Sequence, residues 1–258
     1  MLGRKNKPVD DIDQTEDEAE AIEDDLDDDA ADDTADDDLL TDDEDGDDEE
    51  ADDDWIVFDG SRDWREDGPF DISEVDLDAD DVQRLDFGSL IVTPFDNMQM
   101  QLQINQASGQ VQALLVVDGK SAIEVALFAA PAKGSMLAQV REEMADATNK
   151  AGGTMTLVKG PLGTEIRRVL PTTAPDGRQA KQLSRTWLAQ GPKWLLRGVL
   201  MGHAATTDKE TEEAQLLFEF FCNLVVRRGD VPKVPGELIA LDIPASLAAN
   251  LPEQATRP

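Results

Sequence analysis

MQMQLQINQASGQVQALLVVDGKSAIEVALFA, the stretch Met98–Ala129, decides the fold. Its first third alternates apolar residues with glutamine, and the two later runs, Val111–Val117 and Ser121–Ala129, are almost wholly apolar. Apolar residues at every second position are typical of a strand that buries one face. The polar stretch Asn105–Gly109 between the first two runs is typical of a hairpin loop. The whole stretch therefore predicts three consecutive antiparallel strands.

Outward from this stretch, strand patterns recur on both sides and two helices interrupt them. Helix signals begin at Ser135, a candidate N-cap, and again at Glu210, from which the pattern runs to Val226. This order predicts an α+β domain, with an antiparallel sheet of about six to seven strands and two main helices. By analogy only, the order is similar to the Mog1/PsbP-like fold. Further strands are predicted at Ser89–Val92, Thr154–Lys159, Thr164–Leu170, Gln182–Ala189 and Lys193–Met201, with a last edge strand expected at Leu238–Ile243.

The net charge of the chain is confined to its N-terminal third. Residues 1–90 hold 40 Asp and Glu against 6 Lys and Arg, whereas residues 91–258 hold 17 of each kind. Asp10–Asp54 contains 29 acidic residues in 45 positions and no Lys or Arg. Such a segment cannot offset the roughly 1–2 kcal/mol per residue that folding costs in entropy. We therefore predict a disordered acidic arm over residues 1–54, an irregular aromatic and acidic bridge over 55–83, an α+β domain over 84–234 and a C-terminal extension over 235–258.

Aromatic and basic residues mark a candidate interaction surface. Aromatic residues of the bridge lie among carboxylates, either as a strap packed on the domain or as an anchor for a partner, and the strap keeps more apolar surface out of water. In the domain, arginines interleave with tryptophans, a pattern also found on nucleic-acid-binding faces. Direct nucleic-acid binding is not expected of the full-length chain, because its domain has no net charge and its arm is polyanionic. The predicted surface comprises Trp55, Phe58, Trp64, Arg185, Trp187, Trp194 and Arg197.

The sequence holds few residues from which a catalytic site could be built. His203 is the only histidine, and its place at a strand end favours a turn residue over a general base. Cys222 lies beside two phenylalanines on a predicted amphipathic helix, which favours a buried structural thiol. One Cys and one His cannot form a structural zinc site. Gly119-Lys120-Ser121 lacks the earlier glycine of a phosphate-binding loop. We therefore expect a non-enzymatic protein without a cofactor or a metal.

Nothing in the sequence predicts export or insertion into a membrane. The N-terminus lacks the apolar stretch of a secretory signal, and no run of apolar residues is long enough to span a bilayer. A single cysteine fits a reducing compartment. We expect a cytoplasmic protein without a transmembrane segment.

Six segments between Trp64 and Asp230 carry a family resemblance. They are DGPFDISEVD from Asp67, RLDFGSL from Arg84, FAAP from Phe128, GPLGTE from Gly160, GPKWLLRG from Gly191 and VRRGD from Val226. In this order they resemble the actinobacterial domain-of-unknown-function family 3710. The resemblance implies an uncharacterised cytosolic protein with a charged N-terminal extension, and it implies no catalytic residues.

Two functions stay open at this point. In the first, the chain is a non-enzymatic interaction or regulatory protein whose polyanionic arm engages a protein partner, expected to be basic, or lies over arginines of its own domain. In the second, the α+β domain binds a ligand or catalyses a reaction, and the arm only confers solubility. The first predicts a continuous apolar or basic docking face and no pocket with converging polar groups. The second predicts a pocket with converging polar groups near Arg185, Trp187, Trp194 and Arg197.

Overall fold

The structure, a computed structural model, describes residues 54–96, 98–174, 176–206 and 211–244. The predicted disordered arm, apart from Asp54, and residues 245–258 of the predicted C-terminal extension lie outside these ranges. The described chain folds into a large antiparallel sheet, a small sheet and a few helices. The predicted α+β class is therefore confirmed.

The elements are as follows. The helices are α1 at residues 54–59, a short 3-10 helix at Ile72–Glu74, α2 at Leu137–Lys150, α3 at His203–Thr206 and α4 at Glu212–Cys222. The small sheet consists of β1 Phe70–Asp71, β2 Leu85–Asp86, β3 Leu90–Val92 and β11 Val225–Val226. The large sheet consists of β4 Gln99–Ile104, β5 Val111–Asp118, β6 Ser121–Ala129, β7 Thr154–Gly160, β8 Gly163–Thr173, β9 Gln179–Gly191 and β10 Trp194–Gly202.

Two hairpin runs build the large sheet, whose spatial order is β4-β5-β6-β10-β9-β8-β7. The first run is the predicted meander β4 to β6, and the second is the meander β7 to β10. Strand β10 joins the two runs because it pairs antiparallel with β6 from Trp194 opposite Ala129 to Gly202 opposite Ser121. Helix α2 connects the end of the first run to the far edge of the sheet, where β7 begins.

Each face of the large sheet buries its own apolar cluster. Trp194 and Leu196 of β10 belong to the larger cluster with Phe220 and Phe221 of α4, whereas Leu195 between them belongs to a second cluster with residues of α2. Successive side chains of a strand point to opposite faces. The two clusters therefore lie on opposite sides of the sheet, which we name the α4 face and the α2 face.

Two helices differ from their predicted bounds, one at its C-terminus and one at its N-cap. Helix α4 ends at Cys222 instead of continuing to Val226, and Val225–Val226 form β11, which pairs with both β1 and β3. Both valines are buried, and a short strand buried between two others satisfies its backbone as a helix would. The N-cap of α2 is Met136, while the Oγ of Ser135 accepts a hydrogen bond from the N–H of Leu137 at 3.2 Å.

The segments on either side of the predicted domain contribute to the fold. The predicted irregular bridge contains α1, β1 and the 3-10 helix, whose capping box joins Asp71 and Glu74. In the predicted C-terminal extension, Ile239 and Leu241 are buried, and Leu241 bridges to Val111 of β5. The boundaries at 84 and 234 therefore cut through packed chain, because local composition does not reveal these long-range contacts.

Candidate functional site

The structure separates the seven predicted surface residues into three groups. Trp55 and Phe58 lie in α1 and Trp64 lies shortly after it, and all three are half-buried. Three others are buried, with exposed fractions of 8% for Arg185, 2% for Trp187 and 0% for Trp194. Arg197 lies on the opposite face of the sheet from Trp194, since their positions on β10 differ by an odd number. The seven residues therefore form no single surface.

Arg185 and Trp187 belong to a buried network around Glu165. The guanidinium of Arg185 donates from Nε and Nη2 to the two oxygens of Glu165, each at 2.8 Å. The indole Nε1 of Trp187 donates to Oε2 of the same carboxylate, also at 2.8 Å. Burial alone would raise the pKa of Glu165, but the hydrogen bonds and charge of Arg185, with further help from Trp187 and Arg167, outweigh it and lower that pKa. The predicted role of Arg185 and Trp187 in contacting a partner is therefore wrong, because their polar groups are used inside the fold.

Trp194 anchors the bridge to the domain. Its Nε1 donates to Oδ2 of Asp71 at 2.8 Å, and the guanidinium of Arg65 lies 5.1 Å from the centroid of its ring. Arg65 is in turn held by Glu74 through two hydrogen bonds of 2.9 and 3.0 Å. A fully buried tryptophan that binds its own chain cannot contact a partner, so this prediction is wrong as well.

The remaining aromatic residues, Trp55, Phe58 and Trp64, form an aromatic cluster at the start of the described chain. The rings of Trp55 and Phe58 meet edge to face with centroids 5.9 Å apart, and those of Phe58 and Trp64 lie 4.8 Å apart. The Nε1 of Trp64 donates to the carbonyl oxygen of Phe58 at 3.3 Å. The geometry is that of a strap packed on the domain, the interpretation that the sequence favoured.

Asp59, the last residue of α1, fastens this cluster to the domain. Its Oδ1 accepts hydrogen bonds from the backbone N–H and the hydroxyl of Thr164, at 2.8 and 2.7 Å. Its Oδ2 pairs with Arg141 of α2, and the side chains of Arg141 and Asp59 are only 3% and 9% exposed. An ion pair so far from water holds its two elements in one arrangement, because either partner alone would be a buried, unpaired charge.

The outer side of α1 is exposed and apolar. Ile56 is 48% exposed and Val57 is 71% exposed, directly after the acidic run that ends at Asp54. Beside α1 a cavity of about 230 Å³ lies between the bridge and the domain. Arg62 and Trp64 line one side of it, and Leu137 and Leu162 line the other. The end of the acidic arm is thus joined to a fixed element that presents apolar groups to solvent.

His203 takes part in a polar cluster with a serine and a glutamate, but the order of contacts is not that of a catalytic triad. The Nδ1 of His203 lies 2.8 Å from Oε2 of Glu213, and the hydroxyl of Ser121 donates to the same oxygen at 2.9 Å. The Ser121 oxygen also accepts the backbone N–H of Ala204 at 2.9 Å. A nucleophilic serine needs the imidazole as its base, whereas here the carboxylate lies between the two. The cluster instead holds α3 and α4 at the first residue of β6, Ser121.

Cys222 is a buried thiol, as the sequence indicated. Burial raises its pKa to about 12, with a smaller contribution from the charge of Asp67. The thiolate, which is the reactive form, is therefore scarce at neutral pH. Within the described ranges, no three His, Cys, Asp or Glu side chains come together as a metal site, and no helix is both long and apolar enough to cross a membrane.

The chain is similar to one family of proteins and to a solved structure. The sequence profile of a family described as "Protein of unknown function (DUF3710)" matches residues 68–250, which confirms the family resemblance of the six segments. None of the curated proteins matches the chain significantly. A solution structure of cyanobacterial PsbP (CyanoP) from Synechocystis sp. PCC 6803 is similar at 10% sequence identity and a TM-score of 0.33, over 56% of this chain and 92% of that one. A TM-score of this size supports no transfer of function.

Proposed function

The chain belongs to this family of proteins of unknown function, and we propose that it is a non-enzymatic interaction protein. In this proposal the acidic arm and the exposed side of α1 together bind one partner, a protein with a basic surface beside an apolar groove. The observation that carries the proposal is the exposure of Ile56 and Val57 directly after the acidic run.

The charge distribution supports the choice of a basic partner. The 29 acidic residues between Asp10 and Asp54 create a strong negative potential, whereas the chain from residue 91 onward carries no net charge. Charge of one sign accelerates the encounter with a partner of opposite sign, but contributes little selectivity by itself.

The apolar side of α1 supplies the selectivity that charge lacks. Large apolar side chains in water are costly in a free protein, and interface cores are rich in them. Because Asp59 and the aromatic cluster hold α1 on the domain, Ile56 and Val57 are presented in a fixed orientation. A preorganised contact loses less entropy on binding than a mobile one.

The non-enzymatic part of the proposal rests on the chemistry of the polar side chains. The Ser121 hydroxyl donates a hydrogen bond to the carboxylate of Glu213, and the Cys222 thiol has a raised pKa. Neither group is activated as a nucleophile in the way that covalent catalysis requires.

Two matched substitutions test the proposal. Val57 and Val234 are both 71% exposed, but only Val57 lies beside the acidic arm. Partners are captured from the native cell extract with four immobilised proteins: the full-length chain, a chain without residues 2–53, Val57→Asp and Val234→Asp. Any captured protein is then purified, and its affinity for each of the four is measured at two salt concentrations.

The expected result is a basic protein that binds the full-length chain and Val234→Asp with equal affinity. Its binding should weaken by roughly tenfold or more with Val57→Asp, as for a residue at the centre of an interface. Binding to the chain without its arm should be weaker and less dependent on salt. A partner that binds all four proteins equally would overturn the proposal, and so would capture of nothing by the full-length chain.

A further inference from the structure

A second cavity lies on the α2 face and is lined by no residue of α1, and its lining combines apolar walls with two arginines. Its volume is about 280 Å³, near the lower end of the roughly 300–1,000 Å³ of small-molecule pockets. Helix α2 forms one wall and the strands β6, β8 and β10 form the other. The residues that carry the argument are Phe128, Met136, Met144, Arg168, Leu195 and Arg197.

The body of the cavity is apolar. Met136, Met144 and Leu195 are 5%, 8% and 2% exposed, and Phe128 packs against the same cluster. Methionine side chains adapt their shape readily, so this wall suits a hydrocarbon group better than a polar one.

The two arginines at the cavity are only partly compensated by the rest of the described chain, where the guanidinium of Arg197 lies 4.9 Å from the centroid of the Phe128 ring. The Nε of Arg197 is buried and has no hydrogen-bond partner among the described residues. Its nearest carboxylate, Glu124, lies 4.0 Å away and forms no hydrogen bond with it. Arg168 donates from Nε to the hydroxyl of Thr148 at 2.8 Å, and no carboxylate of the described ranges pairs with it.

The electrostatics of the cavity favour an incoming anion. Burial lowers the pKa of Arg197, Glu124 partly opposes this effect, and the positive charge of Arg168 lowers the pKa further. Repulsion between the two guanidiniums and an unsatisfied buried N–H are both unfavourable. A bound anion would relieve both, because it supplies acceptor atoms and charge where they are lacking.

Arg185 lies on β9, the neighbour of β10, and on the α4 face, and it shows how a structural arginine is paired in this fold. Its guanidinium is matched by a carboxylate in a two-point contact with Glu165. Arg197 makes no such two-point contact with a carboxylate of the described residues. A planar guanidinium fork is complementary to a carboxylate, so the missing group is best supplied by one from outside the chain.

We infer that this cavity binds a small monocarboxylate with an apolar body, of the size of a medium-chain fatty acid. The carboxylate lies between Arg168 and Arg197, and the hydrocarbon body lies against Met136, Met144 and Leu195. The lining residues carry one positive charge in excess, because Arg168 and Arg197 face only Glu143, and Glu124, 4.0 Å from Arg197, offsets part of it. The site therefore suits an anion with no more than one charge. The size of the cavity excludes long-chain lipids from full insertion.

The test uses octanoate as the probe and the full-length protein at physiological ionic strength. The methyl signals of Met136 and Met144, two of the seven methionines, report binding in the cavity by NMR. Calorimetry gives the affinity. Octanol and octylammonium carry the same tail without the negative charge, and they serve as matched ligands.

Three variants accompany the wild type. Arg197→Gln removes the guanidinium with the unsatisfied N–H. Val140→Trp fills the cavity from α2 and leaves both arginines in place, so it stays informative if the first variant folds poorly. Arg178→Gln is the control, because Arg178 is 84% exposed and pairs with Asp176 on the surface.

The expected result is saturable, sub-millimolar binding of octanoate that shifts both methionine signals, with octanol and octylammonium bound much more weakly. Arg197→Gln should weaken octanoate binding by roughly tenfold or more, Val140→Trp should abolish it, and Arg178→Gln should leave it unchanged. Three outcomes overturn the inference: no saturable shift with the wild type, equal binding of octanol, or undiminished binding to Val140→Trp.

Discussion

The arginines on the two faces of the large sheet have opposite surroundings, and their side chains are 10% exposed for Arg185 and 31% exposed for Arg197. On the α4 face, Arg185 is matched by Glu165 and by the carbonyl oxygen of Ala204. On the α2 face, Arg197 keeps a buried N–H without a partner among the described residues. A buried charge that is fully hydrogen-bonded stabilises one arrangement of the chain, whereas a buried N–H without a partner costs stability. The comparison indicates that the first face is built for stability and the second is built to bind.

The contrast between the two faces predicts the largest loss of stability for a substitution of Glu165. Its side chain is 1% exposed and accepts hydrogen bonds from Arg185, Trp187 and Arg167. Glu165→Gln leaves the Arg185 charge uncompensated, so we expect a loss of about 3–5 kcal/mol in the free energy of unfolding. Glu124→Gln, which alters the loose pair with Arg197, is the matched control and should cost less than about 1 kcal/mol. Urea unfolding of both variants measures this, and similar losses would contradict the comparison.

The same network predicts how stability depends on pH. Because the folded chain lowers the pKa of Glu165 below its unfolded value of about 4.3, its contribution is fully present above that value. It is lost as the pH falls through the folded-state pKa, where the carboxylate becomes protonated in both states. The gap in unfolding free energy between wild type and Glu165→Gln should therefore be constant above about pH 5.5 and shrink in acid. A gap that widens in acid would mean that Glu165 is protonated in the native protein at neutral pH.

A smaller effect is expected where the bridge joins the α4 face. Trp194→Phe removes the hydrogen bond to Asp71, a bond to a charged group that is worth about 1.5–3 kcal/mol. Trp64→Phe is the control, because the Nε1 of Trp64 makes a longer bond of 3.3 Å in a half-buried place. Thermal unfolding followed by circular dichroism should give a clearly lower midpoint for Trp194→Phe only. Equal midpoints would mean that the bridge is not fastened through Asp71.

The smallest effect is expected on removing the acidic arm. The buried apolar residues of the described chain all lie between Pro69 and Pro244, so residues 2–53 are not needed to complete that core. Deleting them should leave the thermal midpoint within a few degrees of the full-length value. A fall of roughly ten degrees would show that the arm is part of the fold.

Much of the fold could be predicted from local patterns, whereas the pairing of charges could not. The alternation in Met98–Ala129 predicts β4, β5 and β6 nearly to their observed bounds. The same logic fails at Val225–Val226, where two buried positions fit a helix or a strand equally well and only contact with β1 and β3 decides.

The arginines of the two faces show the same limit of local sequence patterns, which do not predict how charges pair. Arg185 and Arg197 look alike in sequence, each near a tryptophan on an apolar strand. Their roles differ because Glu165 of β8 lies 20 residues before Arg185 and meets it across the pair of neighbouring strands β8 and β9. The nearest carboxylate to Arg197 in the described part of the chain is that of Glu124, at 4.0 Å. Glu165 has only a weak signal in the sequence, as a single acidic residue between Thr164 and Ile166 of a predicted strand. The exposed side of α1 has a misleading signal instead, since Ile56 and Val57 appear in sequence as apolar residues that a strap would bury.

The most direct test compares the two arginines themselves. Arg185→Met and Arg197→Met remove the same group from neighbouring strands, and both are unfolded in parallel urea titrations at neutral pH. The account predicts that Arg185→Met loses about 3–5 kcal/mol, because it leaves Glu165 buried with fewer partners. Arg197→Met should keep the wild-type stability to within about 1 kcal/mol or exceed it, because it removes a partly exposed guanidinium whose ion pair with Glu124, at 4.0 Å, is loose. Equal losses in the two variants would contradict the claim that one face is built for stability and the other for binding.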